Sequence, residues 1–81
     1  MKNQDTKPTL MIFKILEGEV LALMPNEIAD SSGNIQSYMR VGQHSAASPE
    51  LVNELKDATK QERADLVKEL TSIGYLVKEG N

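Results

Sequence analysis

The stretch LMIFKILEGEVLALMP, residues 10–25, holds two runs of strand-forming residues, 10–16 and 19–24, on either side of Glu17-Gly18. Two such runs around a glycine-containing pair read as a β-hairpin. In the first run Leu10, Ile12, Lys14 and Leu16 share one face and Met11, Phe13 and Ile15 the other. Both faces are mostly apolar, the pattern of a strand inside a sheet. In the second, Val20, Ala22 and Met24 oppose Leu21 and Leu23, and the strand is expected to stop at Pro25, which has no amide donor for a ladder.

Beyond the hairpin, residues 26–34 (NEIADSSGN) have the composition of a turn-forming loop. Asp30, Ser32 and Asn34 do not make a calcium loop, because Tyr38, Met39 and Arg40 follow where a closing glutamate is needed. A third strand is expected over 35–42, with Ile35, Ser37, Met39 and Val41 on one face and Gln36, Tyr38 and Arg40 on the other. An extended chain continuing past Gly42 would add His44 to the polar side.

Helix signals come next. Ser48 as N-cap, Pro49 at the first helical position and Glu50 in the first turn open a helix expected to reach about residue 57, with Leu51, Val52, Leu55 and Ala58 at helical spacing. Thr59 and Glu62 form a capping box at the head of a second helix. Its expected buried stripe is Leu66, Val67, Leu70 and Ile73, with Lys60, Gln61, Asp65, Lys68 and Glu69 wet. Gly74 ends it in a left-handed conformation, and Tyr75 packs back on Leu70. Residues 75–78 read as a last short strand.

The expected fold is therefore α+β, one small domain over 10–78, with the order β-β-β-α-α-β. The last strand is expected beside the first, with a place beside the third as the alternative, in an antiparallel sheet with both helices packed on one face. Residues 1–9 read as a flexible leader and 79–81 as a frayed tail. A chain of 81 residues has room for no second core and buries only about 60% of its unfolded surface.

Composition excludes some function classes and weighs against others. With no cysteine there is neither a disulfide framework nor a thiolate zinc site. Twelve acidic against nine basic side chains give a net charge of −3, the wrong sign for gripping phosphates. One Phe, two Tyr and no Trp offer no stacking platform for single-stranded nucleic acid. The run 10–16 is far shorter than the roughly 20 residues that cross a bilayer, and no signal-peptide pattern precedes it, so the expectation is a cytoplasmic protein with no membrane contact.

No catalytic, cofactor-binding or metal-binding residue emerges. His44 is the single histidine, the five glycines form no phosphate loop, and no nucleophile, base and orienting group are spaced as a set. The residues that stand out are Gln36, Tyr38, Arg40 and His44. Arginine supplies a planar fork and tyrosine a rigid amphipathic surface, a chemistry suited to a protein partner.

Gly18-Glu19-Val20, Ala22-Leu23, Pro25, Ser37-Tyr38, Gly42-Gln43-His44, Ala58-Thr59, Glu69-Leu70 and Gly74-Tyr75, in that order, resemble small uncharacterised proteins of gut Bacteroidales, some of them encoded among mobile-element genes. Met24 stands where a Phe is usual in that family, and Asp57 where a Pro is frequent. The resemblance implies a bacterial cytoplasmic protein and brings no activity and no site residues. The expectation is a non-enzymatic protein-interaction or regulatory module, with a homodimer through an apolar sheet face or a strand edge as one form. A nucleic-acid-associated accessory protein of a mobile element is the alternative.

Overall fold

The computed structural model describes residues 7–40 and 43–81. Strands β1 (Thr9–Leu16) and β2 (Glu19–Ile28) form the hairpin, in register from Leu16 opposite Glu19 to Ile12 opposite Leu23. Its turn has φ of 51° at Glu17 and 81° at Gly18. Two positive values in succession match the right-handed twist of the flanking strands, and glycine takes the larger without steric cost.

β2 continues past Pro25, where it was expected to end. Its pairing with β3 (Ile35–Met39) runs from Ala22 opposite Tyr38 to Met24 opposite Gln36, then resumes at Ile28 opposite Ile35. The intervening bulge absorbs Pro25, so the missing amide interrupts the ladder without ending the strand. In the loop that follows, the Asp30 carboxylate accepts from the Ser32 amide at 2.9 Å and the Asn34 side chain at 3.0 Å.

The expected third strand is shorter than 35–42, and the chain reverses after it. β4 (Gln43–Ala47) returns along β3, with Met39 opposite Gln43 and Ile35 opposite Ala47. Val41 and Gly42 lie outside the described residues. α1 (Leu51–Glu54) is a single turn, not a helix reaching residue 57. Leu55 is already extended (φ −88°, ψ 155°), and Lys56–Asp57 form a two-residue strand, β5, opposite Lys14 and Ile15 of β1. Lys14 accounts for the break: its side chain is buried, and its ammonium lies 2.6 Å from an Asp57 carboxylate oxygen. A buried cation requires a partner.

α2 (Lys60–Ser72) carries both halves of the capping box, Glu62 N to Thr59 Oγ1 at 3.1 Å and Thr59 N to Glu62 Oε1 at 2.8 Å. Gly74 has φ 115°, and Tyr75 N donates to the Leu70 carbonyl at 3.1 Å, the expected helix stop. The buried stripe is Arg63, Leu66 and Leu70, with Val67 at its margin. Ile73, expected in that stripe, is 51% exposed because it is the cap residue and has left the helical path.

β6 (Val77–Glu79) lies beside β1 and runs parallel to it, so the sheet is mixed and not purely antiparallel. The element order is β1-β2-β3-β4-α1-β5-α2-β6, and the sheet runs β4-β3-β2-β1, with β5 and β6 sharing the outer edge of β1. Asn81 fills the gap between them. Its side-chain amide accepts from Phe13 N at 3.0 Å and donates to Phe13 O at 2.8 Å, as a strand residue would. Residues 79–81 are thus anchored where a frayed tail was expected, and Thr9 of the expected leader is the first residue of β1.

The two helices lie on opposite faces of the sheet, not on one. Met11, Phe13, Ala22, Met24 and Tyr38 pack beneath Leu66 and Leu70 of α2. Leu21, Leu23 and Ile35 pack against Leu51, Val52 and Leu55 around α1. The crossing occurs at β5: Ala58 N donates to Phe13 O at 2.9 Å, and Ala58 is fully buried on the α2 side. Each face of β1 and β2 is therefore covered, in keeping with their doubly apolar sequence.

Candidate functional site: the free edge of the sheet

The four residues singled out by sequence do not form one wet face. Tyr38 is 1% exposed, beneath α2, with its hydroxyl donating to a Glu69 carboxylate oxygen. Gln36 is half-buried. Arg40, just past β3, is exposed and holds Glu19 Oε1 at 3.4 Å. His44 is exposed, but on β4: chain reversal sets it opposite Tyr38, with the ring centroids 4.7 Å apart, edge to face.

His44 Nε2 also lies 3.0 Å from the Tyr75 hydroxyl. Tyr38, His44, Tyr75 and Glu69 thus make a packed cluster that joins β4 to the end of α2. Tyr75 was not among the residues singled out, since its contact with His44 depends on where the helix stop delivers it.

Between the hairpin tip and α2 lies an open groove of about 540 Å³, lined by Glu19, Arg40, Glu62, Asp65 and Glu69 among others. Its carboxylates are largely engaged in holding the fold. Glu62 closes the capping box, and the Thr59 amide, then its hydroxyl, hold that carboxyl below its ordinary range. Glu69 receives Tyr38 and Glu19 receives Arg40. Among the described residues no three His, Asp or Glu side chains are placed to hold a metal ion. No helix among them is long and apolar enough to cross a membrane.

The two edges of the sheet differ in kind. On the β1 side, β5 is two residues long and both are charged, and β6 is three residues long with Lys78 and Glu79. Short, charged strands are how natural sheets block unwanted pairing. β4, at the other edge, has none of these protections among the described residues. Gln43-His44-Ser45-Ala46-Ala47 contains no charge and no proline, pairs without interruption to β3, and is exposed from Gln43 to Ala46. Its inner side is secured by the Ser37 hydroxyl, which donates to the Ser45 carbonyl at 2.8 Å and lies 3.1 Å from the Ser45 hydroxyl.

In an antiparallel strand paired on one side, every second residue directs its N–H and C=O outward. β4 therefore presents a row of backbone donors and acceptors beside small side chains. No protein-family model, curated protein or solved structure matches the chain.

Proposed function

We propose that the protein is a non-enzymatic interaction module that binds a protein partner by strand addition along β4. The observation that carries this reading is the contrast between a long, neutral, exposed edge at β4 and the short, charged edge at β5 and β6. In strand addition the backbone supplies affinity and alternate side chains supply specificity. Here His44 and Ala46 would meet the partner on the α2 side, with the Tyr38 and Tyr75 rings behind them, and Gln43 and Ser45 on the other. The net charge of −3 and the acidic groove favour a protein over a phosphate backbone as partner. A cytoplasmic setting goes with the absence of cysteine.

Ala46→Lys tests the reading, because residue 46 is exposed and the added charge blocks an approaching strand without disturbing the core. The expected result is a variant with unchanged circular dichroism and urea midpoint that no longer retains the partner held by the wild-type chain. Equal retention by both would contradict it.

A further inference from the structure

We propose that the strand that completes β4 is β4 of a second copy, paired antiparallel about a two-fold axis at Ser45. This rests on the strand-addition reading and names its partner. About that axis Gln43 faces Ala47 of the second copy, His44 faces Ala46, and Ser45 faces Ser45. Each larger side chain thus meets a small one on its own face of the sheet, so neither face is crowded.

Existing rows then continue across the seam. Ser37 and Ser45, whose hydroxyls are 3.1 Å apart, extend into Ser45 and Ser37 of the second copy, a ladder of four hydroxyls. On the other face the Tyr38–His44 pair continues into Ala46 and Gln36 of the second copy. On the Ser45 face Met39 and Gln43 continue into Ala47 and Ile35 of the second copy, which sets the glutamine stem between two apolar side chains.

Charge agrees with this register. The seam strand is neutral, so two chains of net charge −3 bring no like charges together along it. A seam of one five-residue strand falls short of the about 1,200 Å² at which standard interfaces begin. The association is accordingly weak, with a Kd between about 1 μM and 1 mM.

The test combines solution mass with cross-linking. Light scattering across a concentration series reads a mass that rises from 8.9 kDa toward twice that value for the wild-type chain and stays at 8.9 kDa for Ala46→Lys. Because the chain has no cysteine, Ser45→Cys introduces a single thiol at the proposed axis. Cross-strand Cβ atoms there lie about 4.5–5.5 Å apart, close enough for a disulfide after small adjustment. Under mild oxidation Ser45→Cys should become a covalent dimer, whereas Ser32→Cys, exposed in the loop before β3, should not.

A mass fixed at 8.9 kDa up to about 1 mM, or Ser45→Cys cross-linking no faster than Ser32→Cys, overturns the second copy as occupant. If Ala46→Lys then still abolishes retention of a different protein, strand addition stands with another partner. If it does not, both readings fall.

Discussion

Arg63 is the buried charge on which the chain's last strand depends, and its removal should be strongly destabilising. It is 5% exposed. Its Nη2 donates to the Ala58 carbonyl at 2.7 Å and its Nε to the Thr59 carbonyl at 3.3 Å. Nη1 lies 3.2 Å from Glu79 Oε1 and donates to the Asn81 backbone oxygen, while the guanidinium carbon sits 5.5 Å from the centre of the Phe13 ring. One side chain therefore joins the head of α2 to β1, β5 and β6. Arg63→Ala leaves the Ala58 carbonyl without its charged donor, frees Glu79 and Asn81, and uncovers Phe13. Leaving the buried Ala58 carbonyl unsatisfied costs about 1–3 kcal/mol and losing the stem's packing over Phe13 about 1–2 kcal/mol more, while Glu79 is exposed enough to be re-solvated. By per-residue norms a chain of 81 residues has a total stability of about 4–12 kcal/mol, so the variant should lose a large share of it. Arg63→Met, which keeps an apolar stem over Phe13, should recover only the packing share, about 1–2 kcal/mol. Urea titration followed by circular dichroism gives both numbers, and an unchanged m-value shows that the loss is one of stability. Arg63→Ala costing less than about 1 kcal/mol would refute the assignment of β6 and Asn81 to this anchor.

Tyr38→Phe should lower stability by about 1–2 kcal/mol, by removing the hydroxyl that donates to Glu69, and leave partner retention unchanged, since Tyr38 lies under α2. Normal stability with lost retention would instead place Tyr38 on the docking surface. Acidification should weaken the fold partly through Asp57. The Lys14 ammonium first, then the Asn81 amide, hold its carboxyl below the ordinary 3.8, so its contribution is complete above that value and is lost as pH falls through the lower folded one. Asp57→Asn should be less stable at pH 7, where buried Lys14 loses its counter-charge, and should lose less stability between pH 5 and pH 2 than the wild type. Equal acid sensitivity of the two in urea titrations would contradict this.

Local signals in the sequence correctly marked the elements closed by short-range chemistry. Glu17-Gly18 dictates a hairpin because two positive φ angles are needed between strands that twist right-handedly, and Thr59, Glu62 and Gly74 mark both ends of α2 through bonds made within a few residues. The period of two also sorted the residues of β1 and β2 onto their faces. It could not tell which face of β3 would be covered, and tyrosine, apolar in body and polar at its tip, reads as a surface residue until a helix lands on it.

The remaining departures arise from long-range pairing. Lys56 and Asp57 lie between two helices and have no strand propensity of their own, and they become β5 because Lys14 and the edge of β1 are there. Asn81 acts as a strand residue through its side chain, which no backbone pattern announces. The candidate site was half legible for the same reason. The alternation puts His44 on the side of Tyr38, but it reads as one extended strand where the chain turns back, and that reversal makes β4 an edge.

Amide hydrogen exchange along β4, measured at concentrations well below and well above the midpoint of association, tests the strand-addition seam most directly. The outward-facing amides within Gln43–Ala47 should gain protection with concentration, while those of Val77–Glu79 on the opposite edge stay unchanged. Exchange in β4 that is independent of concentration, and of any added partner the wild-type chain retains, would contradict the assignment of this edge as the binding surface.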